Sequence, residues 1–447
     1  MSRALALAAL GLAATASPAV ADRDPWQAGA MTAVYARPGG RVRVHYVTST
    51  VDAVPMTDSD GTGVPDFVEE VARRGDESLA RFAALGFRAP RTDGTLGGDD
   101  RLDIYLKDLA GADGRFDVDA CTQTPFTCVG HVIMENDLVG YAYPSTSIGI
   151  RVLTSHELFH AVQEAYDADQ PIAWTEGTAV WAEEVVYPEQ DDFEHLVAAF
   201  MAKPFRPFDR DGAGFGDLYP YGAALWPYFL EAHAGAGVVA AAWARCEDTG
   251  SDPAFLTALD AELTARGHTL VGEWLEFTRW NARTGRYADG SGYPDASRLA
   301  AALRESALVA PGDATVIVEG FSARYLPIAG VTGTARITVT AMRPVAIDVR
   351  TTTGAATITR VGDDALATTH TFDVTAADGI TAGLEVIVTG ATRGGIQQEV
   401  NVAIAPYAPP PPDEDDGGGC SAAPHGAPSW LVLGLGALVL GRRRRAR

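Results

Sequence analysis

The sequence predicts an α+β protein in which a mixed, mainly helical part is followed by an all-β part. Strand and helix patterns mix over about residues 33–106, and helical patterns dominate from Val152 to about Val309. From Ala314 to about Pro406, Val, Ile and Thr dominate between short Gly and Asp interruptions, which is typical of a β-sandwich-like module. A chain of 447 residues is longer than a single hydrophobic core usually serves, so we expect two folded domains, at residues 22–310 and 311–407.

The beginning of the chain predicts export. Met1-Ser2-Arg3 precedes an apolar run, and Ala19-Val20-Ala21 provides the small residues of a cleavage site. We therefore interpret residues 1–21 as a signal peptide, and the alternative is a buried N-terminal helix. In an exported protein, Cys121 and Cys128 are expected to form a local disulfide rather than remain buried thiols.

Local patterns predict a small sheet and a helix in the first part. The stretch Arg41–Val47 alternates polar and apolar residues and predicts a half-buried strand. From Phe67 to Leu85 the apolar residues have helical spacing, and Gly86 ends the pattern. Two further strands are predicted at Arg101–Leu106 and Gly130–Glu135.

The formal net charge of −23 excludes one class of partner. Binding nucleic-acid phosphates requires clustered Lys and Arg, so we expect no nucleic-acid partner. Acidic side chains instead suit solubility and calcium binding.

One acidic loop has the ligand register of an EF-hand. Oxygen donors occupy positions 1, 3, 5, 7, 9 and 12, with Gly63 at position 6 and a backbone carbonyl at position 7. The candidate Ca²⁺ ligands in residues 58–69 are Asp58, Asp60, Thr62, Val64, Asp66 and Glu69. The alternative is a solvated turn rich in Asp and Gly.

The motif that carries the most chemistry is His156-Glu157-Leu158-Phe159-His160, an H-E-x-x-H pattern with Thr154 or Ser155 available as N-cap. Residues four apart on a helix share one face, so both imidazoles can bind one Zn²⁺. Glu157 lies beside them and can accept a proton from a metal-bound water.

A third zinc ligand is expected on the following helical segment. Glu176 lies 16 residues after His160, which leaves room for the first helix to end and a second to return beside it. Its surroundings, W-x-E-G-x-A-x-W, resemble the third-ligand helix of gluzincin peptidases. That resemblance implies that Glu176 is the ligand, with Glu183 or Glu184 as the next choice.

The gluzincin resemblance covers about residues 30–310 and implies a zincin-like domain with peptidase activity. The segment Tyr219–Trp226 resembles the Y-x-x-G-x-A-x-L stretch that supplies a tyrosine to the transition state, which implies that role for Tyr219, with Tyr221 as the alternative. For either tyrosine, packing at the start of a helix is the other interpretation. The zincin fold also implies that Gly130–Glu135 is either an edge strand that pairs with substrate or an ordinary sheet strand. One departure is Val180, which stands where thermolysin-like enzymes have an Asp. Glu183 could orient a histidine instead, and the alternative for Glu183 is a surface ion pair.

The end of the chain predicts a linker and an anchor. Residues 408–419 are rich in Pro, Asp, Glu and Gly, which is typical of an extended linker. Cys420, the apolar run Pro428–Gly441 and the terminal arginines resemble the C-terminal sorting tag of myxobacterial exported proteins, the MYXO-CTERM type. The resemblance implies that residues 420–447 sort the protein to the cell surface and that a lipidated Cys420 anchors it. The alternative is a simple membrane tail.

Together these patterns predict an exported zinc metallopeptidase, held at the cell surface or outer membrane, that acts on a protein or peptide substrate. Two other hypotheses remain open. The zincin-like part could be inactive and serve a surface adhesion protein, or the enzyme could be a zinc amidase that acts on cell-wall peptides. The sequence indicates no oligomeric state and no cleavage specificity.

Overall fold

The computed structural model describes residues 23, 26–190, 193–209, 216–247, 254–394 and 396–407. Up to Tyr407 these residues form one compact unit of mixed α and β structure. The predicted signal peptide, linker, Cys420 and C-terminal segment lie outside the described residues. Within them, every helix is too short or too polar to cross a membrane.

A five-stranded mixed sheet forms the first part of the structure. Its spatial order is β1-β2-β3-β5-β4, in which β2, β3 and β5 are parallel and the two outer strands are antiparallel to their neighbours. The strands are β1 (Thr32–Tyr35), β2 (Val42–Val47), β3 (Leu102–Lys107), β4 (Gly114–Cys121) and β5 (Cys128–Glu135).

Of the two interpretations of Gly130–Glu135, the edge strand is wrong and the ordinary sheet strand agrees with the structure. This segment belongs to β5, which pairs with β3 on one side and β4 on the other. The outer strand is β4. This strand was not predicted, although residues Arg115 to Ala120 alternate between polar and apolar. A strand's own residues encode its alternation, whereas its neighbours are set by the rest of the chain.

Helices form the rest of the first part, with the first between β2 and β3 in the chain and the others after β5. They are α1 (Asp66–Ala84), α2 (Thr146–Gln163), α3 (Ile172–Val186), α4 (Phe193–Met201), α5 (Tyr219–Gly222), α6 (Leu225–His233), α7 (Val238–Cys246), α8 (Phe255–Ala265) and α9 (Leu270–Asn281). One face of the sheet packs on α1 and α2 through fully buried apolar residues, among them Val42, Val44, Ile104, Val68 and Leu158. The apolar residues that predicted the first helix are therefore its buried stripe.

The opposite face of the sheet holds a buried charged cluster. The sequence places His45 and His131 outside any ligand spacing, and both lie in this cluster. His45 Nε2 is 2.7 Å from Asp103 Oδ1, and His131 Nδ1 is 3.2 Å from Asp119 Oδ1. The guanidinium of Arg23 forms ion pairs with Asp93, Asp103 and Asp119. Arg23 thus supplies positive charge to a set of buried carboxylates.

From residue 308 onward the described chain is β-structure with its own apolar core, which includes Ile337, Val374 and Val386. The first half of the long strand β9 pairs with β11 and β13, and its second half pairs with β12. The strands are β6 (Leu308–Val309), β7 (Gly312–Val318), β8 (Ser322–Val331), β9 (Thr334–Thr353), β10 (Ala356–Val361), β11 (Ala367–Ala376), β12 (Ala382–Gly390) and β13 (Gln398–Pro406).

The β-rich part packs directly on α9. Tyr325 Oη donates a hydrogen bond to the carbonyl oxygen of Thr278 over 3.1 Å, and the hydroxyls of Thr278 and Thr389 lie 3.2 Å apart. Phe321, Tyr325 and Ile387 belong to the apolar core of the helical part. The two parts therefore share buried surface as well as a chain connection.

Candidate metal centre

Helix α2 begins two turns earlier than its motif suggests. Ser145 is the N-cap, and its hydroxyl accepts a hydrogen bond from the backbone N–H of Ile148 over 3.2 Å. The expectation that Thr154 or Ser155 caps the helix is wrong, because their hydroxyls donate to the carbonyls of Ile150 and Arg151 one turn back. The histidine motif therefore lies in the buried second half of a regular helix, and helical residues precede and follow it.

Helices α2 and α3 bring the three predicted zinc ligands together. Glu176 Oε2 lies 3.2 Å from His156 Nε2 and 3.6 Å from His160 Nε2. Tetrahedral zinc with Zn–N and Zn–O distances of about 2.0–2.1 Å separates its ligand atoms by about 3.3–3.4 Å. The three donor atoms therefore have the identity and the spacing of a zinc site, and the chemistry of the donor set fits that metal.

Each histidine is oriented through its other ring nitrogen. Glu183 Oε1 lies 2.6 Å from His156 Nδ1, and Gln163 Oε1 lies 2.8 Å from His160 Nδ1. The Gln163 amide in turn donates to the Thr175 carbonyl and the Thr178 hydroxyl. An acceptor at Nδ1 places the proton there and leaves the Nε2 lone pair directed at the metal position.

The charged groups of the centre change one another's pKa values. Burial by itself lowers the pKa of His156, but the carboxylates of Glu176 and Glu183 outweigh burial and raise it well above its usual value. Burial by itself raises the pKa of Glu176, but the charges and hydrogen bonds of His160 and His156 outweigh burial and hold it far below its usual range. His156, His160 and Glu176 therefore form an ion-paired cluster in which the Glu176 carboxylate is ionised.

Glu157 lies beside this cluster against strand β4. Its side chain is 5% exposed, and burial raises the pKa of its carboxyl group. A Cβ atom on Gly114, the first residue of β4, would lie only 2.5 Å from Glu157 Oε1. Glu157 Oε2 is buried and has no hydrogen-bond partner among the described residues. A water bound to a metal would give this oxygen the partner that it lacks.

The structure does not place Tyr219 with the metal ligands. Its hydroxyl donates to the carbonyl of Arg206, and its ring packs against Phe200 within the aromatic core. The ring of Tyr221, the alternative, stacks on His156 with ring centroids 5.9 Å apart. Residues two apart on a helical turn point in nearly opposite directions, so only one of the two tyrosines can face the site.

The predicted calcium loop brings together part of its ligand set. Carboxylate oxygens of Asp58, Asp60 and Asp66 lie within 4.8 Å of one another. Gly61 and Gly63 have φ values of 75° and 84°, which glycine adopts without strain. The Thr62 hydroxyl donates to Glu69 over 3.0 Å and lies 3.5 Å from the Val64 carbonyl oxygen. The donor set suits calcium, and occupancy of the loop stays a prediction.

The remaining predicted residues lie away from the metal centre. Cys121 and Cys128 face each other across β4 and β5 and are joined by a disulfide. Cys246, the last residue of α7, is buried.

Three features near the candidate site were not predicted from the sequence, although two of them have a recognisable sequence pattern. Gln163 stands three residues after His160 and therefore on the same helix face. Strand β4 has alternating polar and apolar residues from Arg115 to Ala120, which is typical of a strand. The contact between Gly114 and Glu157 has no such pattern, because the two residues are 43 positions apart in sequence and meet only through packing.

Comparison with known proteins adds no assignment. Neither a protein-family model nor a curated protein matches this chain. The geometry of the site therefore carries the functional argument alone.

Proposed function

We propose that this protein is a zinc-dependent peptidase with a zincin-like domain of gluzincin type, followed by a β-sandwich-like domain. The observation that carries the proposal is the grouping of His156, His160 and Glu176 at zinc spacing beside the partnerless buried oxygen of Glu157. We further propose that the protein is exported and held at the cell surface through its C-terminal segment. The substrate is a protein or peptide.

In this proposal each group of the site has a separate role in peptide hydrolysis. Bound zinc supplies a Lewis acid that polarises the scissile carbonyl and lowers the pKa of a coordinated water. Glu157 accepts the proton of the attacking water and later delivers it to the amine leaving group. Burial raises the pKa of this carboxyl group, which suits both steps because it makes the protonated form easier to reach. In this proposal Tyr221, whose ring stacks on His156, would donate a hydrogen bond to the developing oxyanion.

Strand β4 gives the substrate a place to bind. Among the described strands it pairs with β5 alone, so its other edge is available to an extended peptide. Gly114 begins this strand and abuts Glu157. A peptide added to β4 would therefore run past the general base.

The test uses the full chain loaded with zinc and a casein substrate. We expect Glu157→Gln to reduce cleavage at least about 10³-fold and to retain one zinc at the centre, because the amide cannot accept the proton. Glu176→Ala should lose the metal as well as activity, because the centre then keeps two protein ligands. Cleavage that survives Glu157→Gln would exclude this mechanism, and unchanged zinc binding by Glu176→Ala would exclude the third ligand.

A further inference from the structure

Outside the metal centre, one carboxylate lies between two imidazoles. Glu273 is in the first turn of α9, His233 is the last residue of α6, and His268 is in the loop before α9. Glu273 Oε2 is 2.7 Å from His233 Nδ1, and Glu273 Oε1 is 2.7 Å from His268 Nδ1. The group joins the end of one core helix to the beginning of another.

The burial of the three side chains is unequal. The Glu273 side chain is 5% exposed, whereas those of His233 and His268 are 34% and 32% exposed. A buried carboxylate needs compensating positive charge, and the ion-pair partners of Glu273 in the described residues are these two imidazoles. Neutral imidazoles donate hydrogen bonds but contribute no net charge. A divalent cation would supply the charge, and the exposed rings leave it a path from solvent.

We propose that His233, His268 and Glu273 form a second metal site, selective for zinc and similar divalent transition metals. One donor atom from each residue lies within 4.8 Å of the others. Two imidazole nitrogens and one carboxylate oxygen are the ligand set of such ions, whereas magnesium and calcium prefer oxygen ligands alone. This inference does not depend on the proposed peptidase activity.

The second site is expected to bind zinc more weakly than the metal centre. At the centre, Glu183 and Gln163 hold the ring nitrogens that face away from the metal position. At the second site the Nδ1 atoms themselves hold protons against Glu273 at 2.7 Å, which is shorter than the spacing of ligands on tetrahedral zinc. Zinc must break these hydrogen bonds and spread the ligands, which lowers its affinity relative to the metal centre.

Packing around the site supports a stabilising role. The His233 ring stacks on Phe229 with ring centroids 5.1 Å apart, which holds its orientation. Helix α9 carries Trp274 and Phe277 into the aromatic core shared with α6. A metal that links the ends of α6 and α9 would oppose their separation on unfolding.

The experiment is calorimetric titration of the metal-free full chain with zinc chloride, in millimolar calcium so that the acidic loop is not available to zinc. We expect two classes of site that differ in affinity. His156→Ala should remove only the tight class. The double change His233→Gln and His268→Gln should remove only the weaker class, because glutamine can still donate to Glu273 but no longer offers imidazole nitrogen. His195→Gln, on α4, serves as the control.

A second readout distinguishes a metal site from a hydrogen-bonded clasp. Filling the weaker site should raise the melting temperature of the His156→Ala chain by about 3 °C, and the added double glutamine change should abolish this rise. Binding of a single zinc by the parent chain, or two classes in the double variant, would overturn the second site. Casein cleavage by the zinc-loaded double variant should match the parent, so failure of this proposal is separable from failure of the peptidase proposal.

Discussion

At the scale of single residues, the candidate metal centre includes groups that support its ligands without belonging to the ligand set. Glu183 holds His156 through Nδ1, and Gln163 holds His160 in the same way. Such partners fix the tautomer and the direction of the metal-binding lone pair, so their loss weakens binding without removing a ligand.

Replacing Glu183 with Gln should therefore weaken zinc binding about 10- to 100-fold. The amide oxygen can still accept a hydrogen bond from Nδ1–H, but the substitution removes the negative charge that increases the basicity of His156. Competition with a zinc-sensitive dye measures the affinity. Glu184→Gln, one residue further on α3, is the matched control, and an equal loss in both variants would contradict the assigned role of Glu183.

Glu164, the C-cap of α2, gives the fold a pH dependence in the metal-free state. Burial raises the pKa of this carboxyl group from 4.5 to about 7. In the unfolded chain the group ionises at lower pH than in the folded protein. Its contribution to stability is therefore complete below pH 4.5 and is lost as the pH rises towards 7.

We expect Glu164→Gln to stabilise the metal-free protein at pH 8 by up to about 3 kcal/mol and to leave stability unchanged at pH 4. Urea unfolding at the two pH values measures the difference. The exposed Glu189→Gln is the control. Equal stabilisation at both pH values would show that ionisation of Glu164 is not the cause.

At the scale of elements, the contact between β4 and α2 is set by one missing Cβ atom. Because Gly114 has no side chain, the backbone of β4 approaches the Glu157 carboxylate closely. The conformation of Gly114 lies outside the left-handed region, so alanine would fit the backbone and change only this contact.

Gly114→Ala should therefore reduce cleavage of casein by at least about 10-fold while the zinc content remains one per chain at the centre. The new methyl group would displace the Glu157 carboxylate from its present position. Arg115→Ala, the exposed neighbour on β4, is the control. Full activity in Gly114→Ala would mean that the carboxylate does not need this close packing.

At the scale of the whole molecule, one buried carboxylate ties the β-rich part to the helical part. Glu385 on β12 is 1% exposed and pairs with Arg304 over 2.9 Å and with Arg350 over 2.8 Å. Both guanidinium groups also donate to the carbonyl of Ala282, the C-cap of α9. Removal of one member of such a network leaves buried charge without compensation.

We expect Glu385→Gln to destabilise the protein by about 3–5 kcal/mol. Because the two parts share buried surface, loss of near-ultraviolet dichroism and release of zinc should occur in one thermal transition, shifted to lower temperature in the variant. Glu399→Gln on the exposed side of β13 is the control. Two separate transitions, with zinc release unchanged in Glu385→Gln, would show that the parts unfold independently.

The sequence alone determined the features that depend on neighbours along the chain. The spacing of His156 and His160 places them on one helix face wherever that helix lies, and the apolar stripe of α1 follows from the same 3.6-residue period. The change to Val, Ile and Thr after Ala314 likewise predicted strands that the structure contains. Glu176 could be nominated from its distance to the motif, because the intervening residues suffice for one helix to return beside another.

Tertiary structure decided the features that depend on which elements meet. The order of strands made β4 rather than β5 the outer strand, and the rotation of α5 placed Tyr221 against His156 and Tyr219 in the core. Gly114, Glu183 and the group around Glu273 join residues from separate elements. Their distances arise only when the elements pack, because local sequence sets the direction of a side chain along its own helix or strand but not what lies opposite it.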